Sequence, residues 1–180
     1  MIETQRLILR TWREEDRAPF LAMCRSREVT AHLGGPMTDD AVDATIARIR
    51  ACEAEHGHCF WAIERKTDRA FLGFCGLRIA SGLGPGIEGD MEIGWRLRLD
   101  VWGKGYAREA ASASLAWAWA HRDVPHVVAI TVPLNHRSWG LMERIGMIRR
   151  RDLDFGHPAF PHNHPLHHHI TYLAERPLRA

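Results

Sequence analysis

Residues 92–110 read Glu-Ile-Gly-Trp-Arg-Leu-Arg-Leu-Asp-Val-Trp-Gly-Lys-Gly-Tyr-Ala-Arg-Glu-Ala: a strand-like run, a glycine turn, then a helix-forming run. Gly103 and Gly105 carry no side chain, so the main chain there can take positive φ and approach a ligand closely. A helix that opens directly after them leaves its first-turn amides as free donors at the positive end of a dipole. The segment can therefore receive an anion such as a phosphate, or serve as a plain strand-to-helix connection. Its spacing excludes two common nucleotide motifs, because it holds neither G-x-x-x-x-G-K-[ST] nor G-x-G-x-x-G.

The flanking sequence predicts an α/β domain. Residues 6–12 have strand character, and Glu14, Glu15 and Asp16 place acids at the start of a helix through Phe20, Leu21 and Met23. Thr38, Asp39 and Asp40 can cap a second helix, with Val42, Ile46 and Ile49 at helical spacing and an end near Gly57. Residues 60–63 and 70–79 read as strands joined through the polar turn Lys66-Thr67-Asp68, an antiparallel hairpin. A glycine-rich loop over 82–86 precedes a third strand over 91–99.

The helix after the glycine turn is expected over 105–121, and its alanines with Leu115, Trp117 and Trp119 suit close packing on a sheet. The β-branched run 127–132 completes a right-handed β-α-β unit. Asn135 can then cap a short helix ending at Gly146. Strands follow at 147–153 and 169–173, separated by an irregular loop over 155–165.

With 180 residues, 46% of them hydrophobic, the chain can bury one sizeable core, and a single domain over 1–180 is expected. No stretch approaches the ~20 apolar residues of a membrane helix, and the first residues lack a signal-peptide layout, which points to the cytoplasm. Basic and acidic residues balance at 24 and 22. The run Arg149-Arg150-Arg151 lacks interleaved aromatics and reads as a solvated edge, so neither nucleic acid nor membrane is expected as a partner. Cys24, Cys52, Cys59 and Cys75 show no C-x-x-C spacing; the last two lie in apolar runs and read as buried small hydrophobes.

The run 92–110 resembles the acyl-CoA-binding motif of the GNAT superfamily of N-acetyltransferases, Q/R-x-x-G-x-G/A, aligned on Trp102, Gly105 and Ala107. It is most similar to the RimJ/RimL-like branch of ribosomal-protein N-terminal alanine/serine acetyltransferases, which shows E-I-G-W/Y before the turn, W-G-K-G-Y-A at it and E-A after it. Residues 3–10 and the Asn135-x-x-Ser138 to Gly146-Met147 stretch match the same branch in the same order. Trp102 departs from the wider Q/R signature.

The resemblance implies a mixed, mostly antiparallel sheet with helices on both faces, splayed between its fourth and fifth strands, here 91–99 and 127–132. It implies that backbone groups of Leu97 and Leu99 pair with pantetheine amides. Residues Trp102, Gly103, Lys104, Gly105, Tyr106 and Ala107 hold the pyrophosphate, and Asn135 and Ser138 lie beside pantetheine and thioester. The cosubstrate it implies is acetyl-CoA, with no metal, and the partner is an amine acceptor, either a small molecule or a peptide N-terminus. The chain is expected as a monomer or homodimer.

Acetyl transfer to an amine needs an unprotonated nucleophile. A lysine amine has a free pKa of ~10.4 and an α-amino group one of ~7.7–8.0, so either gains from a base, whereas a thiol at ~8.5 leaves tolerably as thiolate. Glu92 is the candidate base, since the corresponding strand of the family carries base carboxylates; an outward-facing strand glutamate is the alternative. Ser138 is the candidate acid or thiol hydrogen-bonder, against a helix-start serine bonding backbone amides. The family's frequent tyrosine acid falls at Met142, which cannot donate a proton.

His157, His162, His164, His167, His168 and His169 match no zinc spacing, and if His167 to His169 are extended, alternate side chains face opposite ways and the three cannot all converge. Acceptor recognition is the expected role of that loop, through His157 and His169. The competing functions are a CoA-binding protein without transferase activity and, more weakly, a histidine-loop metal protein.

Overall fold

The computed structural model describes residues 1–84 and 86–178, so Pro85 of the expected 82–86 loop, and residues 179 and 180, lie outside the described part. Among the described residues the sheet has eight strands: β1 (Ile2–Glu3), β2 (Leu7–Arg10), β3 (Phe60–Arg65), β4 (Phe71–Ile79), β5 (Met91–Leu97), β6 (His126–Thr131), β7 (Ile148–Gly156) and β8 (His168–Glu175). Their spatial order is β1-β2-β3-β4-β5-β6-β8-β7. Every neighbouring pair is antiparallel except β5 and β6. That parallel pair follows from the intervening helix, which carries the chain back across one face of the sheet.

β5 and β6 meet in register only at Glu92 and Val128, whereas β4 and β5 stay paired from Gly73–Leu97 to Ile79–Met91. The sheet therefore opens beyond Glu92. These are the strands from which the splay was expected; the two-residue β1 makes them fifth and sixth in the observed order. β5 also stops at Leu97, and residues Leu99–Val101 form a 3-10 turn rather than continuing the strand to 99.

Helices α1 (Arg17–Arg25), α2 (Arg27–Thr30) and α3 (Asp39–His56) cover one face, while α4 (Tyr106–His121) and α5 (His136–Arg144) lie on the other. Thr38 Oγ1 accepts from Ala41 N at 3.3 Å to cap α3, and Gly57 ends that helix at φ +71°, a conformation that favours glycine. In β5 the odd residues Met91, Ile93 and Leu97 pack into the core beneath α4, so the even residues Glu92, Gly94 and Arg96 face α1 and α3. α4 seats Ala110, Ala111, Ser114, Leu115 and Ala118 on the sheet. Small residues permit that close approach, and Ser114 Oγ returns its proton to Ala110 O at 2.9 Å.

Cys24, Cys59 and Cys75 are buried, with burial pushing the Cys75 thiol up to about 12. Arg149 and Arg150 of the basic run are paired in β7 with Asp154 and Asp152. Among the described residues no helix is long and apolar enough to cross a membrane.

Candidate active site

The glycine turn sits at the open end of β5. Gly103 and Gly105 have φ of +74° and +81°, and Gly105 is the N-cap of α4. Among the described residues, the amides of residues 103–108 donate to no protein acceptor; the first tied one in this stretch is Glu109 N, on Gly105 O at 3.1 Å. A row of free N–H groups at a helix start suits a diphosphate.

Its frame comes from neighbouring side chains. The Trp102 indole donates to Leu97 O at 2.8 Å and its main-chain N–H to Leu99 O at 3.1 Å, tying strand end to turn. Arg6 donates to Lys104 O at 3.0 Å, pairs with Glu109 at 2.6 Å and lies 4.4 Å from the Tyr106 ring centroid. Lys104, exposed, and half-buried Ala107 complete the turn, while Arg137 stacks 5.0 Å from the Trp102 ring.

Register decides what the opened edge offers. Arg98 N donates to Leu72 O on β4 at 2.9 Å, so by alternation Arg96 also bonds toward β4, and the main-chain groups of Trp95 and Leu97 face away from it. Beyond the Glu92–Val128 bridge that side has no strand among the described residues. Leu97 O is taken by the Trp102 indole, which leaves Leu97 N–H and both polar groups of Trp95 facing the opening. Leu99 lies past the strand, in the 3-10 turn, 44% exposed.

A cleft of about 700 Å³ runs along the α1/α3 face of β5 and into the gap toward β6 and α5. It brings Glu92, Asn135, Ser138 and His169 together, with Met142 beside them. Glu92 is 5% exposed, and Arg78, its register partner on β4, reaches Oε2 from Nε at 2.8 Å and Nη2 at 2.7 Å. Burial raises the Glu92 pKa above the ordinary carboxylate value, and the Arg78 charge and hydrogen bond restrain that rise. Both Arg78 contacts fall on one oxygen, leaving Oε1 for another partner.

Asn135 Oδ1 caps α5 by accepting from Ser138 N at 3.3 Å. The Ser138 hydroxyl itself has no protein partner among the described residues and lies on the cleft. Met142 is 1% exposed.

His169 enters the cleft from β8, 8% exposed and stacked on Phe155 at 5.7 Å. Burial, then the neighbouring His157, lowers its pKa to about 4, so it is neutral near pH 7. His157 stands behind it, with ring centroids 4.7 Å apart, and does not line the cleft. Among the described residues no three His, Cys, Asp or Glu side chains gather as metal ligands would.

Arg78 and Arg96 were not anticipated as cleft residues. Arg78 had a signal: it is the sole charge in the 71–79 strand, opposite a lone glutamate on the next. Arg96 had none, since its neighbours come from distant elements.

The profile of the acetyltransferase (GNAT) domain matches residues 6–148. The uncharacterized protein YkkB of Bacillus subtilis is 29% identical over 147 residues, 80% of this chain and 83% of that protein. An acetyltransferase from Agrobacterium tumefaciens superposes with a TM-score of 0.78 at 25% identity, covering 97% of this chain and 93% of the other. The spermidine N-acetyltransferase of Vibrio cholerae, in complex with CoA and spermine, shares the fold at a TM-score of 0.73 and 14% identity, over 96% and 97% of the two chains. With the domain profile spanning most of its length and the splayed sheet and glycine turn in place, the chain belongs to the GNAT family of acetyltransferases.

Proposed function

We propose that the chain, as one domain, transfers the acetyl group of acetyl-CoA to a primary amine by direct attack in a ternary complex. The observation that carries this reading is the row of unbonded amides at residues 103–108 leading into an open β5 edge and a cleft holding Glu92. In it, residues 102–107 receive the pyrophosphate, Trp95 and Leu97 offer main-chain groups to pantetheine, and Leu99 positions the turn. Asn135 shapes the thioester end by capping α5.

The amine nitrogen attacks the thioester carbonyl carbon, forming a C–N bond as the C–S bond breaks. The ammonium proton passes to Glu92, whose raised pKa makes it a better base than an exposed carboxylate, and Ser138 donates a hydrogen bond to the departing thiolate. His169 and, behind it, His157 border the acceptor. With its pKa lowered to about 4, His169 is a weak base that leaves amine deprotonation to Glu92 and offers shape and a hydrogen-bonding ring. A place in the RimJ/RimL-like branch rests on the E-I-G-W and W-G-K-G-Y-A runs.

The test is free-thiol release from acetyl-CoA over a panel of small amines and N-terminal peptides, beside calorimetric CoA binding. Acceptor-dependent release that collapses in Glu92→Gln is the expected result. CoA binding without release for any acceptor would instead favour an inert CoA binder, the reading that buried Met142 at the usual tyrosine position supports.

A further inference from the structure

Among the described residues Arg96 has a charge without an anion. It projects from β5 into the cleft, half-buried, and its Nη1 contacts are Cys24 Sγ at 3.3 Å and Met37 Sδ at 3.4 Å, with the Phe74 ring centroid 5.5 Å from Cζ. Sulfur is a weak acceptor and a guanidinium has five donors, so most of its donors have no protein partner among the described residues and are open to solvent or a ligand. A partly desolvated guanidinium with such partners favours any oxyanion that can reach it.

The rest of the cleft repeats that imbalance. Among the described residues Arg48, on α3, bonds only Thr45 Oγ1 at 3.0 Å. Of the two lining carboxylates, Glu92 is tied to Arg78 and Glu55 is 74% exposed. Burial lowers the pKa of His32 and His169, so these two rings add no positive charge near neutrality. The cleft that would receive an amine thus lacks the carboxylates that a polyamine's extra ammonium groups need, and a second ammonium at Arg96 would meet like charge.

We propose that the acceptor is an amine carrying a carboxylate or phosphate at its far end, with the amine at Glu92 and the anion on Arg96. The inference rests on the acetyltransferase reading of the cleft. Glu92 and Arg96 share one face of β5 at a spacing of ~13 Å between Cα atoms. Between them Gly94 leaves the floor bare; a Cβ there would stand 3.1 Å from the Phe60 ring. This geometry suits a ligand with its two charges at opposite ends of an extended chain, not on one carbon.

Hexylamine, 6-aminohexanoate, 6-aminohexyl phosphate and 1,6-diaminohexane form a matched test series. Each is measured by acetyl-CoA-dependent thiol release and by calorimetric binding to the CoA-loaded protein. The anionic amines should exceed hexylamine and the diamine should be worst; the order of carboxylate and phosphate identifies the natural anion. Arg96→Gln should shrink the anionic-to-neutral preference by about tenfold or more, and Arg96→Lys, which keeps the charge but not the fork, by less. No anion preference in either readout, or a preference untouched in a folded Arg96→Gln protein, overturns the proposal. Anion-selective binding without thiol release supports the anion site while sinking the transferase reading; release with no charge preference does the reverse.

Discussion

The two ends of the cleft are built from different material. The end proposed for the donor is main chain: free amides at residues 103–108 and the unpaired edge of β5 at Trp95 and Leu97. The end proposed for the acceptor is side chain: Glu92 against Arg78, Arg96 among sulfurs, and His169 stacked over Phe155. A main-chain site is damaged by adding atoms and a side-chain site by removing or neutralising them.

The sharpest way to break that contrast is Gly105→Glu. The residue sits at φ +81°, and a Cβ would lie 3.3 Å from Arg6 Nη2. Left-handed strain, lost amide contacts and a carboxylate opposite a pyrophosphate should together weaken CoA binding by roughly a thousandfold or more, read by calorimetry. Retained affinity would move the cradle elsewhere.

Glu92→Gln should act oppositely, preserving CoA affinity while lowering kcat by roughly 10²–10⁴-fold. In the wild type, kcat/KM should gain an acid limb above the ordinary carboxylate range, because burial raises the Glu92 pKa. Arg78→Gln should push that limb to higher pH, since the partner that stabilises the carboxylate is gone.

Stability offers a third measurement. His169 has a folded-state pKa of about 4 against an ordinary 6.5, so the unfolded chain takes up its proton first. Its contribution is intact above pH 6.5 and is lost as pH falls toward 4. The full shift corresponds to ~3 kcal/mol, trimmed to roughly 2 kcal/mol by residual solvent contact. His169→Leu should flatten urea-derived stability over that window. An unchanged acid slope would mean that His169 is not held neutral. The smallest effect is expected from Ser138→Ala, about tenfold or less in kcat, because a thiolate leaves without a strong acid.

The glycine turn, the helix after it and the caps of α3 and α5 were legible because their determinants are local. Two glycines, a following helix and Thr38 or Asn135 ahead of apolar periodicity all act within a few residues of themselves. The end proposed for the acceptor depends on pairing across the sheet and on contacts such as Arg96 with Met37 and Cys24, separated by 59 and 72 residues. No short-range pattern encodes those meetings. Glu92 illustrates the boundary: its strand was readable, but its burial and its Arg78 partner required the register of β4 on β5. Trp102 illustrates the converse, since its place at the turn was visible while its hydrogen bond to Leu97 O emerged only from the fold.

The single bridge at Glu92 and Val128 joins two blocks of sheet, β1 to β5 on one side and β6, β8 and β7 on the other. A pantetheine arm lying in the gap would take the place of missing strand pairing, so the ligand becomes a temporary structural element of its own host. Saturating CoA at about a hundred times its Kd would add ~2.7 kcal/mol to stability by mass action. Hydrogen exchange should then slow most along the facing edges of β5 and β6, and the two blocks should unfold together more sharply with CoA than without it.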